Sequence, residues 1–148
     1  MNSSSPTIVV TGGASGIGAE MCRLIVERGA HVGIVDLDEE KGTTLAKQLG
    51  QNAKFARADI CDEGQLTEAY ETLKKDLPMV TGLVTCAGVS PTRLPIEEYP
   101  LDEFRRLLDN HASGTFLTCK VIGSDLAARD GGAIVTISSA LSIRPGPM

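Results

Sequence analysis

The stretch TIVVTGGASGIGAEMCRLIVERG, residues 7–29, constrains the fold of this chain more than any other part of it. Its β-branched start predicts a strand over Thr7 to Thr11, and the residues after the glycines predict a helix in which Ile17, Met21, Leu24 and Ile25 share a face. Arg28 stands in the last turn and Gly29 supplies the stop. The loop between them has a chemistry of its own. Gly12 permits the tight turn, Gly16 lets backbone approach a pyrophosphate and Gly18 allows close helix packing, with Ser15 and Ile17 completing the loop. Free N–H groups and the positive end of the helix dipole can then hold a diphosphate without a lysine. The G-K-[ST] ending of a nucleoside triphosphatase loop is missing.

The remaining segments repeat the same unit. HVGIVD, His31 to Asp36, reads as a second strand, followed by a weaker helix from about Asp38 to Leu49 closed by Gly50, and AKFARAD reads as a third strand. Asp62 with Gln65 three residues on resembles a capping box that opens a helix to about Asp76. VTGLVTCAG is a fourth strand, and Val89 to Pro100 is a polar loop. Leu101, Phe104, Leu107, Leu108, Ala112, Phe116, Cys119, Ile122 and Leu126 recur at helical spacing, which predicts one long helix ending near RDGG. AIVTIS follows as the fifth strand, buried-looking by its apolar pattern but left as a bare sheet edge if nothing pairs with it or covers it. Apolar strands that alternate with helices predict a parallel sheet covered on both faces. Right-handed crossovers make this a doubly wound α/β domain over residues 1–148, with strand order 3-2-1-4-5 and ligands at the carboxyl ends of the strands.

Composition removes several function classes. The net charge is −5 and the basic residues are interspersed, so a nucleic-acid role is not expected. No apolar run approaches the ~18 residues of a membrane span, and MNSSSPTIVV carries no basic leader region, so a cytoplasmic protein is expected. Cys22, Cys61, Cys86 and Cys119 are far apart and only two histidines could join them; they read as isolated buried thiols, with no metal site.

Asp36 gives the glycine loop its context. It closes the second strand 18 residues after Gly18, where a carboxylate can accept hydrogen bonds from both hydroxyls of an adenosine ribose. Leu37 follows it and the loop holds no basic residue, so nothing receives a 2′-phosphate and NAD is expected in preference to NADP.

Five motifs in order, TGGASGIG, Ala58-Asp59, Cys86-Ala87-Gly88, Gly114-Thr115-Phe116 and GAIVTISS, make the chain resemble the N-terminal part of a short-chain dehydrogenase/reductase. The resemblance covers nearly the whole chain. It implies a Rossmann-type fold and an oxidoreductase that interconverts a secondary alcohol and a carbonyl by hydride transfer on a small molecule. It further implies that Asp59 binds the adenine amino group with Ile60 packed beside it. The backbone of Cys86, Ala87 and Gly88 would line the adenine ribose and run toward the nicotinamide. Ser139 would hydrogen-bond the substrate oxygen, and a homodimer or homotetramer would form through paired long helices. The loop VSPTRLPIEEY would line one wall of the substrate pocket.

Two departures accompany the resemblance. His111 occupies the place of an asparagine that anchors a relay water in that family, with Asn110 one residue earlier. One helical residue turns a side chain by ~100°, so both cannot face the site, and His111 is favoured as the catalytic member. Cys86 also replaces a frequent asparagine. More consequentially, the family's tyrosine and lysine, Y-x-x-x-K, belong after Ser139, whereas the only tyrosines here are Tyr70 and Tyr99, neither followed by lysine four residues on. ISSALSIRPGPM therefore reads as the first half of an active-site loop, and the chain as a fragment of a longer domain, its sheet incomplete on the C-terminal side and inactive alone. A non-catalytic dinucleotide-binding module, or a half needing a partner chain, is the alternative. An S-adenosylmethionine-dependent methyltransferase is disfavoured by the loop spacing and the ISS strand end.

Overall fold

The structure, a computed structural model, describes residues 5–129, 131–140 and 143. Its strands are β1 (Thr7–Thr11), β2 (His31–Asp36), β3 (Ala53–Arg57), β4 (Gly82–Thr85) and β5 (Ala133–Thr136). Helices α1 (Gly16–Glu27), α2 (Glu39–Leu49) and α3 (Glu63–Asp76) connect the first four. One continuous helix, α4, fills residues 101–127: it is α-helical at Leu101–Leu108, Thr115–Thr118 and Ser124–Ala127, and π-helical at Asp109–Gly114 and Cys119–Gly123. All pairings are parallel and the order is β3-β2-β1-β4-β5, as the sequence predicts. Asp130 of RDGG and residues 141, 142 and 144–148 of the closing loop lie outside the described residues.

The two faces are legible in β1 itself. Successive strand residues point to opposite sides. Val9 joins Leu66, Tyr70, Leu73, Ile122 and Leu126 from α3 and α4, while Val10 joins Ala19, Cys22, Ile34 and Leu45 on the α1–α2 side. Each fully buried aliphatic side chain of this kind contributes about 1.5–3 kcal/mol.

Side-chain caps fix where the helices begin. Asp38 Oδ1 accepts the Lys41 N–H at 3.0 Å, and Asp62 Oδ1 accepts the Gln65 N–H at 3.0 Å. Gln65 then reaches back with both ends: Nε2 donates to Asp62 Oδ2 at 3.0 Å, and Oε1 accepts the Asp59 N–H at 3.2 Å. The cap of α3 thereby fixes the turn that carries Asp59.

Apolar residues are left exposed at three places. Helix α1 rests on the sheet through Gly18, Ala19 and Cys22, while Ile17 and Leu24 are exposed. Small residues let the helix axis come close; Met21 and Ile25 of the expected face pack against the core, and Ile17 and Leu24 are turned aside. Along α4 only the C-terminal half keeps its apolar face inside, through Thr118, Ile122 and Leu126; Leu101, Phe104, Leu108 and Phe116 are exposed. Strand β5 is short and exposed on both faces, including Ile134 and Val135, and among the described residues it pairs only with β4.

Tyr70 ties the two helices of one layer together. Its ring is buried, its hydroxyl donates to Asp125 Oδ2 at 2.5 Å, and Arg129 pairs with the same carboxylate. Burial and the neighbouring carboxylate both push the phenol above its ordinary range. Tyr70→Phe leaves Asp125 with Arg129, so an equilibrium unfolding curve is expected to show a loss of only about 1 kcal/mol.

Candidate functional site

The carboxyl ends of β1, β2, β3 and β4 open into a cleft of about 550 Å³. Backbone contact builds its floor. Gly12 turns at φ 67° and donates its N–H to Val35 O at 2.8 Å. A Cβ on Gly12 would stand 2.5 Å from Ala87 Cα, and one on Gly18 would stand 2.1 Å from Gly12 O. Loop, helix and the segment after β4 are therefore stacked main chain on main chain. Gly16 differs: its φ is 52° and nothing lies within 4 Å of where a Cβ would go.

The start of α1 leaves its N–H groups without a side-chain acceptor. Ser15, in extended conformation at the cap, makes no capping hydrogen bond, and no acidic residue stands in the first turn. Such a terminus attracts an anion. Asp36, at the end of β2, is oriented by two backbone donors: Ala14 N–H to Oδ2 and Asp38 N–H to Oδ1, each at 3.0 Å. Each oxygen retains acceptor capacity beyond these bonds.

The structure brings the residues singled out for cofactor binding to this one cleft. Gly12, Ser15, Gly16, Ile17 and Gly18 line it from the loop; Asp36, Leu37, Asp59 and Ile60 line it from the ends of β2 and β3; Cys86, Ala87 and Gly88 line it after β4. Asp59 Oδ1 accepts the Cys61 N–H at 2.9 Å, which holds the turn after β3. Ile60 is buried beneath α4, where a Cβ on Gly114 would come within 2.6 Å of its Cδ1. That contact accounts for the glycine of the Gly114-Thr115-Phe116 motif.

Neither residue singled out for catalysis lines the cleft. Ser139 follows β5 at the same end of the sheet and is exposed. His111 packs on Gly88 and its Nε2 donates to Val89 O at 2.8 Å, so it meets the cleft wall from behind. A carbonyl only accepts, which fixes the proton on Nε2 and leaves Nδ1 as an acceptor in the neutral ring. Asn110 does line the cleft, and its buried Oδ1 has no hydrogen-bond partner within the protein. Both residues lie in the first π-helical turn. Val89 and Ser90, which begin the loop VSPTRLPIEEY expected along one wall, line the cleft as well, beside Ala58 of the Ala58-Asp59 motif; Ile137 completes the lining and was missed because an apolar strand-end residue carries no distinctive pattern.

Burial disfavours the thiolate at Cys22 and Cys86. Burial first, and the Cys86 thiol second, push Cys22 up to about 12, and burial also raises Cys86. Contrary to the expectation of uniformly buried thiols, Cys61 is exposed; its Sγ donates to Asp109 O at 3.4 Å, which links the turn after β3 to α4. Among the described residues no group of three or more His, Cys, Asp or Glu could hold a metal ion, and no helix is long and apolar enough to cross a membrane.

Comparison with known proteins agrees with this fold. The short chain dehydrogenase family profile matches residues 6–148. The chain is 35% identical over 134 residues to D-threitol dehydrogenase of Mycolicibacterium smegmatis, covering 88% of this chain and 51% of that protein. It is 34% identical to 3-beta-hydroxysteroid dehydrogenase of Comamonas testosteroni, covering 93% of this chain and 53% of the relative. A solved 3-ketoacyl-(acyl-carrier-protein) reductase from Brucella melitensis, complexed with NADH, superposes with a TM-score of 0.88 at 27% identity, over 96% of this chain and 60% of that one. The chain thus spans about half the length of the curated relatives it matches. On its fold, its glycine loop and these similarities, the chain belongs to the short-chain dehydrogenase family.

Proposed function

We propose that the cleft binds NAD and that the protein is an oxidoreductase interconverting a secondary alcohol and a carbonyl by hydride transfer. One observation carries this reading: the carboxylate of Asp36 and the uncapped N-terminus of α1 face the same cleft at the carboxyl end of the sheet. The residues fit the cofactor. The open space at Gly16 admits a diphosphate against backbone N–H groups, and Asp36 can accept from the two ribose hydroxyls. Asp59 and Ile60 would receive the adenine. When bound, the nicotinamide supplies the hydride donor or acceptor. Ser139 would hydrogen-bond the substrate oxygen, and His111, or Asn110 beside it, would hold a water for proton transfer. The substrate is a small alcohol or carbonyl compound, the setting cytoplasmic, and the exposed apolar residues of α4 support a homo-oligomer.

A dinucleotide-binding module without catalysis of its own is favoured by one observation. Tyr70 is buried against Asp125, Tyr99 does not line the cleft, and so neither tyrosine of these 148 residues is placed to exchange a proton with a bound alcohol. Fluorescence titration separates the cofactor readings: NADH is expected to bind at least about tenfold more tightly than NADPH, because Asp36 repels a 2′-phosphate. Equal affinities would reject the NAD preference. The chain is expected to oxidise no secondary alcohol alone, and genuine turnover would place the acid among these residues.

A further inference from the structure

The segment after β4 has no regular structure from Cys86 to Pro95, yet three side chains of α4 hold its backbone. His111 donates to Val89 O at 2.8 Å, and Arg106 Nη2 donates to Ser90 O at 3.4 Å. Glu103 Oε1 accepts from both the N–H and the Oγ1 of Thr92, at 3.3 and 3.2 Å. As the segment advances from 89 to 92, its partners step backwards along α4 from 111 to 103. The two run as an antiparallel ladder made by side chains instead of strands.

Glu103 and Arg106 are also joined to each other. Arg106 Nε donates to Glu103 Oε2 at 2.7 Å and Nη2 to Oε1 at 2.8 Å, a two-pronged pair. The Glu103 carboxylate accepts four hydrogen bonds and its side chain is only 17% exposed. Arg106 beside it, with help from Thr92, holds it down at about 2. An i,i+3 ion pair on an exposed helix contributes ~0–1 kcal/mol and orders nothing beyond itself. This one is bonded on to the backbone of a segment whose Val89 and Ser90 line the cleft.

We propose that Glu103 and Arg106 are positioning residues of the dinucleotide cleft: by bracing residues 89–92 on α4 they fix the wall that Val89 and Ser90 present to the bound cofactor. The proposal rests on the dinucleotide reading above. Without the brace the wall samples positions outside the closed cleft, and the cost of ordering it is added to binding.

The test is NADH titration together with amide hydrogen exchange on the wild-type chain, Glu103→Ala and Glu103→Gln. In Glu103→Ala the amides of residues 89–92 should exchange faster and the NADH Kd should rise about tenfold, with slow exchange restored by saturating NADH. Glu103→Gln keeps an acceptor for Thr92 and should stay within about threefold of wild type. Faster exchange with an unchanged Kd overturns the proposal, as does an equal loss in the Ala and Gln variants, which would assign the effect to charge alone. Arg106→Leu, which removes the donor to Ser90, carries the same test if Glu103→Ala does not fold. A wild-type chain that protects these amides but binds no NADH overturns the cofactor reading itself, whereas a failure of the brace alone leaves wild-type binding intact.

Discussion

Asp36→Ala is expected to weaken NADH binding by about 100-fold while leaving the protein folded. A hydrogen bond to a charged group contributes ~1.5–3 kcal/mol, and this carboxylate is oriented to accept two from one ribose. Its two part-buried intramolecular bonds, to the N–H groups of Ala14 and Asp38, are lost as well, and Ala14 is a buried residue. The structural loss should therefore be about 1–3 kcal/mol, which leaves the protein folded. NADPH supplies the control. Removing the carboxylate also removes the repulsion of a 2′-phosphate, so NADPH affinity should hold steady or improve as NADH affinity falls. A variant that loses both in parallel has lost its fold, and one that binds NADH as wild type does removes the role of Asp36.

The second large effect separates two glycines of one loop. Gly18→Ala places a methyl carbon 2.1 Å from Gly12 O, 2.8 Å from Gly12 C and 3.0 Å from Gly13 Cα. All three are main chain and none can swing aside. The expected loss is about 3 kcal/mol or more, out of the ~5–15 kcal/mol that holds a typical domain together. Gly16→Ala meets no atom within 4 Å, but it must hold an L residue at φ 52° and it sets a methyl in the space where a diphosphate would lie. Its stability loss is about 1–2 kcal/mol, and its effect on NADH affinity should be at least about tenfold. Denaturation midpoints beside NADH titrations give both numbers. Equal midpoints for Gly18→Ala and wild type would mean that the loop does not stack on Gly12.

The sheet was readable in the sequence because its strands are short apolar runs bounded by strong punctuation. Thr7–Thr11 and His31–Asp36 have the bounds that the pattern implies, set by Gly12 on one side and Gly29 on the other. The cap at Asp62 was readable for the same reason: its signal is local. What was not readable depends on distance in sequence. Which residues of α1 meet the sheet is decided by how close Gly18 and Ala19 allow the helix to come, and periodicity alone nominated the larger Ile17 and Leu24. The π-helical turn at Asp109–Gly114 has no sequence signature, so a regular 100° step per residue was assumed there. The structure instead sets Asn110 in the cleft and His111 against its wall. The bracing of residues 89–92 was likewise invisible, since Glu103 and Arg106 read from sequence as an ordinary pair of charges on a helix.

The central place of β1 also bears on how the chain is made. Its neighbours are β2, which follows at once in the chain, and β4, whose pairing begins at Ile8↔Gly82. About 70 residues separate the end of β1 from the start of β4, so at the usual ~5–20 residues per second one side of the nascent strand waits roughly 4–14 s for its partner. Throughout that interval Val9 and Val10 border an unpaired ladder. Among the described strands paired on both sides, β1 is thus the one whose second edge stays open longest, and slower translation between residues 36 and 82 would lengthen its exposure.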